Sequence, residues 1–427
     1  MTRRDSASVS TDETETRLIE LREAWRSLNK AETSRKNLAL QTVATQIAQN
    51  RSKLLAANQA DLEALPKQTT SAFRDRLELN EERLKNLIEG LEQVSALEDP
   101  LGEAVEEKRL GNGLELRRVR AALGVLFLIF ESRPNVAIES FALAFKSGNG
   151  LILRGGSESM RTVGVLYSAI KTALEETGFD PNVVWGITDA DRGIISTLLK
   201  SQKWIDVVIP RGGEGLIKFV QENSAIPILK NDRGLCHTYV HEDADLEMAL
   251  NIVENAKVHR PGVCNSLETV LVHQKIAAGF LPQLALRLEK HHVQWFGCSR
   301  TCSVLKGRKD LSLAQEQNWD TEYLDYKINC RIVNDLEEAL AHIEKHGSRH
   351  SEAIVTASHA AAARFQAEVD AAVVYWNAST RFTDGFEFGL GGEIGISTQK
   401  LHVRGPIGLR ELTSSRWIIK GTGQIRS

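Results

Sequence analysis

One cysteine in a turn-rich segment of this chain is well placed for covalent chemistry. Cys264 follows the dipeptide Pro261-Gly262, which breaks a helix, and precedes the apolar, β-branched run 269–272, which favours a strand. A thiol on a tight loop between a helix and a strand can face a cleft, and it is a nucleophile when its pKa is lowered. The pattern therefore makes Cys264 a candidate nucleophile, and the rest of the chain must supply its setting.

Two loops that contain Arg-Gly-Gly could bind a phosphate. They comprise Arg154, Gly155, Gly156 and Ser157 in the first loop, and Arg211, Gly212 and Gly213 in the second. Each follows a predicted strand and opens a helix, where backbone N–H groups and the helix dipole favour anions. Neither loop fits the G-x-G-x-x-G or Walker A pattern, and one alone is typical of an ordinary strand-to-helix turn. Two of them in one sheet favour a nucleotide site.

Asn135 ends the most apolar predicted strand, directly after Arg133-Pro134. An amide at a strand end beside a thiol could donate an N–H to a developing oxyanion. The alternative is that Asn135 caps the helix that starts after Pro134. Taken alone, the sequence favours the cap.

A polar loop follows the apolar run 371–376. It concentrates an amide, two hydroxyls and a guanidinium in Asn377, Ser379, Thr380 and Arg381. Such a set suits recognition of a small, charged polar ligand. A hydrogen-bonded turn is an equal alternative.

The sequence also contains cysteines and histidines at short spacings. Cys298 and Cys302 lie four residues apart in a segment that we expect to be irregular, and their spacing matches no common zinc finger. His346 and His350 are also four apart, but Gly347 between them ends the predicted helix. We therefore expect no metal.

Composition limits the class of protein. The 427 residues suffice for two or three domains, and 42% apolar with 26% charged content allows a large core. A net charge of −3 provides no general attraction to nucleic acid or to an anionic membrane. The five scattered cysteines argue for a reducing compartment. Residues 1–17 lack the apolar region of a secretory signal, and no apolar run reaches the ~20 residues that span a bilayer. We expect a cytoplasmic protein without nucleic-acid or membrane partners.

The pattern of elements predicts an α/β fold. The first hundred residues are rich in helix-forming residues, and residues 105–110 and 114–120 flank a Gly-Asn-Gly turn typical of a β-hairpin. Strands and helices alternate from residue 123, which favours a mostly parallel sheet covered by helices on both faces. The predicted strands are 124–130, 151–154, 183–186, 205–209 and 226–229, and the helices between them include 136–146 and 158–176, with Ser157 as an N-cap. A second α/β region spans about residues 236–390, and its helix 245–258 leads into the Cys264 loop. The tail 412–425 is strand-like.

Six ordered blocks of sequence resemble the gamma-glutamyl phosphate reductase family, a branch of the aldehyde dehydrogenase superfamily. The blocks are residues 131–136, 151–156, 209–213, 260–265, 377–385 and 397–402. The resemblance covers about residues 100–420. Each block is a weak signal alone, but six in order are highly specific.

The resemblance implies an aldehyde dehydrogenase-like α/β fold with a doubly wound cofactor domain, an inserted α/β catalytic domain and a small β oligomerisation arm. The cofactor domain would comprise residues 1–102 and 123–230, and the catalytic domain residues 231–392. The arm would comprise residues 103–122 and 409–427, with 393–408 as a crossover segment. As partners it implies a second copy of the chain, in a dimer or tetramer, and leaves glutamate 5-kinase as an open candidate.

The resemblance also implies a reaction. Cys264 would attack L-glutamyl 5-phosphate, phosphate would leave, and the thioester would accept hydride from NADPH to give L-glutamate 5-semialdehyde, the second step of proline biosynthesis from glutamate. Asn135 would be the oxyanion donor. The two Arg-Gly-Gly loops would bind the nucleotide, Glu322 would lie near the nicotinamide ribose, and the loop that contains Arg381 would bind the substrate.

Residues 229–237 depart from the glycine-rich pattern of the family, and Lys230 occupies the neighbourhood of the carboxylate that activates water in hydrolytic aldehyde dehydrogenases. Phosphate is a good leaving group, so the reductive reaction needs no such base. Two alternatives remain open at this point: an aldehyde dehydrogenase that acts on another substrate, and a non-catalytic oligomeric relative.

Overall fold

A computed structural model describes residues 11–187, 193–230 and 233–426. The chain divides into two compact units. The first comprises Met1–Lys230, Gly389–Gly395 and Ile407–Ser427, and the second comprises Asn231–Phe388 and Ile396–Pro406.

The first unit begins with a helical layer and continues with alternating strands and helices. Its helices are α1 (Thr11–Leu28), α2 (Thr33–Gln49), α3 (Arg51–Glu63), α4 (Ser71–Leu77), α5 (Glu81–Ala96), α6 (Asn135–Lys146), α7 (Met160–Glu176), α8 (Gly193–Leu198) and α9 (Glu214–Asn223). Its first six strands are β1 (Ala104–Arg109), β2 (Glu115–Ala122), β3 (Val125–Phe130), β4 (Gly150–Arg154), β5 (Val184–Ile187) and β6 (Val207–Arg211).

The core of this unit is a parallel sheet in the order β5-β4-β3-β6. The central strand β3 is a continuous apolar run, and all six of its residues are buried, as expected for a strand covered on both faces. Because parallel strands share one carboxyl edge, the loops after β3, β4 and β6 emerge on the same side of the sheet. Both Arg-Gly-Gly loops therefore lie at one edge of one sheet.

Two local predictions were wrong. Residues 226–229 form no strand but a single bridge between Val208 and Ile228, because Pro227 has no N–H to continue the ladder. Ser157 does not cap α7 with its side chain; it begins a 3₁₀ turn, Ser157–Ser159, that precedes the helix.

The second unit is also an α/β structure. Its strands are β7 (Cys236–Val240), β8 (Leu267–His273), β9 (Gln294–Gly297), β10 (Leu311–Leu313), β11 (Lys327–Val333), β12 (Ser351–Val355), β13 (Val373–Trp376), β14 (Ile396–Ser397) and β15 (Gly405–Pro406). Its helices are α10 (Leu246–Val258), α11 (Gln274–Glu289), α12 (Ser299–Val304), α13 (Glu316–Trp319), α14 (Leu336–His346) and α15 (His359–Glu368).

Seven of these strands form a parallel sheet in the order β10-β9-β11-β8-β7-β12-β13. Apolar clusters cover both of its faces, one built on α10 and α11 and the other on α14 and α15. The prediction that the segment around Cys298 is irregular was wrong. This segment forms β9, α12 and β10 at one side of the sheet.

A third sheet, antiparallel, belongs to the first unit. The C-terminal strand β16 (Thr413–Lys420) pairs with β2, and β2 pairs with β1 in the order β1-β2-β16. The predicted hairpin around Gly111–Gly113 is confirmed, and the tail completes its sheet.

Candidate active site

Cys264 lies on the loop between α10 and β8, as predicted, and is partly exposed. All five cysteines lie among the described residues, and none of them forms a disulfide. Cys236 and Cys330 are buried in strands, and burial raises the pKa of both thiols. Cys298 is partly exposed, and although burial alone would raise its pKa, hydrogen bonds from Thr301 and backbone N–H groups bring that pKa below its ordinary value. Cys298 is therefore a second thiol whose reactivity must be tested.

Gly234 packs directly against the backbone of Cys264. A methyl group at Gly234 would overlap the carbonyl group and Cα of Cys264, so only glycine fits this position without a shift of the backbone. The Sγ of Cys236 donates to the same carbonyl oxygen at 3.2 Å. Gly234 and Cys236 belong to the stretch 229–237 that departs from the family pattern, of which residues 231 and 232 lie outside the described residues.

The polar loop after β13 is attached to the residue that follows Cys264. The hydroxyl of Thr380 donates to the carbonyl oxygen of Asn265 at 2.8 Å, and Asn265 Nδ2 donates to the carbonyl oxygen of Thr383 at 2.8 Å. The guanidinium of Arg381 donates to Asn265 Oδ1. The structure thus brings Cys264 and Arg381 into one region of the second unit.

Other side chains of this loop are engaged within it. The side-chain amide of Asn377 pairs with the backbone of Thr356 at 2.9 and 3.0 Å, and Asn377 has a φ of +56°. The hydroxyl of Ser379 accepts the N–H of Arg381 at 3.3 Å. Asn377 and Ser379 therefore shape the loop, and Arg381 is its candidate for direct ligand contact.

Arg381 is a partly buried cation, and a second guanidinium and a carboxylate lie near it. Burial lowers the pKa of its guanidinium, Asp384 opposes that shift, and the neighbouring guanidinium of Arg260 adds to it. The Nε of Arg381 is buried and has no hydrogen-bond partner among the described residues. Sequence reasoning did not assign a role to Arg260, although it lies four residues before Cys264.

Glu322 lies in the same unit, in the segment between α13 and β11. Its Oε1 accepts the N–H of Gly234 at 2.9 Å, and burial raises the pKa of its carboxyl. Glu322 thus contacts the glycine that lies against Cys264.

The Arg-Gly-Gly loops lie at the carboxyl edge of the sheet in the first unit. Arg154 is buried at the end of β4, and its guanidinium donates to the carbonyl oxygen of Gly155. Arg211 at the end of β6 donates to the carbonyl oxygen of Ile394 at 2.6 Å. Both side chains could place positive charge at this edge, where α/β sheets bind their ligands.

Two carboxylates at this edge accept backbone N–H groups in contacts that sequence reasoning did not predict. Glu131 accepts the N–H of Gly213 at 2.8 Å, and Glu158 accepts the N–H of Ser132 at 2.6 Å. The N–H of Gly213, the N-cap of α9, thus hydrogen-bonds to Glu131. Contacts between loops 26 and 82 residues apart leave no local pattern in the sequence.

Asn135 is the first residue of α6 and not its cap. Its Nδ2 donates to Glu139 Oε1 at 2.8 Å, one turn along the same helix. Ser132, three residues earlier, has a φ of +50°, a left-handed conformation that the contact with Glu158 supports. The capping alternative for Asn135 is therefore wrong, while its role as oxyanion donor stays a prediction.

Within the described parts of the chain, no three His, Cys, Asp or Glu side chains are grouped so as to hold a metal ion. Across the same residues, no helix has the length and apolarity needed to cross a membrane.

Comparison with known proteins identifies the family. The model of the aldehyde dehydrogenase family matches residues 7–295. A gamma-glutamyl phosphate reductase of Carboxydothermus hydrogenoformans is 49% identical over 95% of this chain and 97% of its own length. The chain belongs to the gamma-glutamyl phosphate reductases.

Two further members of this family agree. The gamma-glutamyl phosphate reductase of Clostridium tetani is 46% identical over 95% of this chain and 96% of its own length. The crystal structure of the Thermotoga maritima gamma-glutamyl phosphate reductase superposes with a TM-score of 0.93 at 42% identity and covers 97% of this chain and 100% of that one. The aldehyde dehydrogenase-like fold predicted from the resemblance is confirmed.

Membership in the gamma-glutamyl phosphate reductases makes this chain an oxidoreductase of the aldehyde dehydrogenase family, which uses a nicotinamide cofactor. In this family member, Gly234 lies against Cys264 although the surrounding stretch departs from the expected glycine-rich pattern.

Proposed function

We propose that this chain reduces L-glutamyl 5-phosphate to L-glutamate 5-semialdehyde and phosphate, with NADPH as reductant and a thioester at Cys264 as intermediate. The observation that carries the proposal is the loop of Cys264, to which the half-buried guanidinium of Arg381 is attached through Asn265. A nucleophile and a cation at a fixed separation suit a substrate with an acyl phosphate at one end and a carboxylate at the other.

The reaction divides into three events at Cys264. The thiolate attacks the acyl carbon, and the carbon–oxygen bond to phosphate breaks, which leaves a thioester. A reduced nicotinamide cofactor, when bound, would supply the hydride that this carbon accepts. The resulting thiohemiacetal collapses, and the aldehyde leaves as the thiol is restored. We assign Asn135 as a donor to the oxyanion of these tetrahedral states, on the strength of the family resemblance.

Substrate recognition falls to the loop that contains Arg381. The guanidinium can bind the α-carboxylate through two N–H groups. Thr380 uses its hydroxyl to attach the loop to Asn265, and Ser379 and Asn377 shape it. Arg260 is a new candidate to offset the charge of the leaving phosphate.

We assign the cofactor to the carboxyl edge of the sheet in the first unit, with Arg154, Gly155, Gly156, Ser157, Arg211, Gly212 and Gly213 around it, and its ribose to Glu322. The positive side chains at this edge fit an anionic nucleotide. Glu158 lies in the same loop, and its carboxylate would repel a 2′-phosphate, so the choice of NADPH over NADH rests on the family resemblance. A higher kcat/KM with NADH than with NADPH would contradict this assignment.

The test of the function is an assay in the oxidative direction with glutamate 5-semialdehyde, NADP and phosphate. We expect NADPH formation that requires phosphate, and its loss in Cys264→Ala with cofactor affinity retained. Cys298→Ser is the matched control and should keep full activity. Oxidation without phosphate would indicate a hydrolytic aldehyde dehydrogenase, and no activity in any condition would indicate a non-catalytic relative.

Three further properties are proposals on the basis of the family resemblance: a homodimer or tetramer, a cytoplasmic location in keeping with five cysteines that form no disulfide, and glutamate 5-kinase as a partner.

A further inference from the structure

A buried ion pair closes the base of the loop that contains Cys264. Lys257 lies in the last turn of α10, Glu268 is the second residue of β8, and both side chains are buried. Lys257 Nζ donates to the carbonyl oxygen of Leu267 at 2.8 Å and lies 3.2 Å from Glu268 Oε2. Because these residues flank the loop on its two sides, their contacts hold its two ends together.

The same carboxylate connects the loop to a second segment. Glu268 Oε1 accepts the N–H of Leu324 at 3.3 Å, and Leu324 has a φ of +51°, which is unfavourable for a leucine unless neighbours hold it. Two residues before Leu324, Glu322 accepts the N–H of Gly234, which lies directly against Cys264. Contacts that start at Glu268 therefore reach Cys264 by a second path.

Stability alone does not explain a pair of this kind. Burial raises the pKa of Glu268 to about 7 and lowers the pKa of Lys257, while each partner opposes the shift of the other. Desolvation thus offsets much of the attraction, and an apolar pair of similar volume is often as stabilising. An apolar pair could not, however, make the directional contacts to the backbone of Leu267 and Leu324.

We propose that Lys257 and Glu268 are positioning residues for the nucleophile, which fix the Cys264 loop and couple it to the segment that contains Glu322. The proposal rests on the proposed function in taking Cys264 as the nucleophile and Glu322 as a cofactor contact. Neither residue needs to touch the substrate.

The decisive variants are Lys257→Met and the double variant Lys257→Met/Glu268→Leu, which replaces the ion pair with an apolar pair. The measurements are Tm, kcat, and the rate of Cys264 alkylation by iodoacetamide across a range of pH, followed on the Cys264 peptide by mass spectrometry. We expect Lys257→Met to lower Tm and to change both kcat and the alkylation rate by about tenfold or more, since small displacements of a reacting group are costly. We expect the double variant to recover part of the lost Tm but not kcat or the alkylation rate, because the carbonyl oxygen of Leu267 loses its partner in both variants and the N–H of Leu324 loses its partner in the double variant.

The matched control is Lys36→Met in the first unit, because Lys36 is also buried and pairs with Asp99. It should lower Tm and leave the alkylation of Cys264 unchanged. A double variant with the wild-type kcat and alkylation rate would overturn the proposal and leave the pair a purely structural role. Alkylation needs neither cofactor nor substrate, so its outcome is independent of whether the proposed reaction is correct.

Discussion

Arg381 contacts Asn265 and is our proposed contact for the substrate carboxylate. The effects of these two contacts on kcat/KM can be measured separately. Its guanidinium donates to Asn265 Oδ1, while its buried Nε has no partner among the described residues. Loss of a charge-assisted contact to a substrate carboxylate costs roughly 1.5–3 kcal/mol, or about one to two orders of magnitude in kcat/KM. We expect Arg381→Ala to reduce kcat/KM for glutamate 5-semialdehyde by this factor and to affect a simple aldehyde such as propanal far less.

Asn265→Ala is the control for this prediction, because it removes the contact with Arg381 and keeps the guanidinium. It should affect the two aldehydes to the same extent through the Cys264 loop. An equal loss for both aldehydes in Arg381→Ala would mean that Arg381 serves the loop and not the substrate.

His342 predicts how stability depends on pH. It is buried between Trp319, His237 and His346, and burial first, then these two histidines, lower its pKa to about 2. Below the ordinary histidine pKa of about 6.5, the unfolded state therefore binds a proton at His342, whereas the folded state does not. Stability should fall as pH decreases from about 6.5 to 4, by up to ~1.4 kcal/mol per pH unit from this residue.

His342→Phe tests that attribution. Urea midpoints measured at several pH values should change less steeply between pH 6.5 and 4 in the variant than in the wild type. Equal slopes in the two proteins would assign the acid sensitivity to other groups.

The sequence predicted the position of the nucleophile because its signals are local: a Pro-Gly break, a cysteine and an apolar strand within a dozen residues. It could not predict which groups of different loops form hydrogen bonds with one another. Glu131 and Gly213 are 82 residues apart, and Glu268 and Leu324 are 56 apart, so only the folded chain reveals their contacts. Arg260 lies in the block 260–265 that carries the family resemblance. Its positive charge close to Cys264 in sequence was the signal that could have marked it as a site residue.

At the level of elements, the residue two positions before β7 constrains the geometry of the nucleophile. Gly234 has no room for a side chain, because a methyl group would overlap the backbone of Cys264. We expect Gly234→Ala to lower kcat by about two orders of magnitude, the scale of loss for a displaced reacting group. Overpacking of this kind also costs about 1–3 kcal/mol of stability, which would appear as a lower Tm.

Gly279→Ala is the matched control, since Gly279 lies on α11 with no atom near its missing Cβ. Alanine is favoured over glycine in a helix by about 1 kcal/mol, so this variant should be slightly more stable and fully active. Normal activity in Gly234→Ala would show that the Cys264 loop tolerates displacement.

Apolar periodicity predicted most elements, including β3, β4 and α6, because their patterns are strong and continuous. It failed at residues 226–229, where the apolar character of a strand is present but Pro227 removes a donor from the ladder. Hydrophobicity places a segment in the core, whereas pairing also requires backbone groups that are free to bond.

At the level of the whole molecule, segments distant in sequence complete each unit. Residues 389–395 and the C-terminal segment return to the first unit, where Arg211 donates to Ile394 and β16 pairs with β2. Such returns depend on tertiary contacts and not on a local pattern. The sequence alone therefore predicted a strand-like tail, and the family resemblance implied where it would pair.

The strand β16 makes a prediction about assembly. It is an edge strand that pairs only with β2 in the described part of the chain, and its Trp417, Ile418 and Ile419 are 44%, 47% and 58% exposed. An exposed apolar edge strand favours association with another chain, since its outer backbone groups are unpaired and its apolar side chains contact water. We expect it to lie in a subunit interface, so Ile418→Asp/Ile419→Asp should yield a smaller species in light scattering.

Leu286→Asp, which charges an equally exposed residue on α11, should leave the assembly intact. A wild-type chain that is a stable, active monomer at micromolar concentration would contradict the prediction.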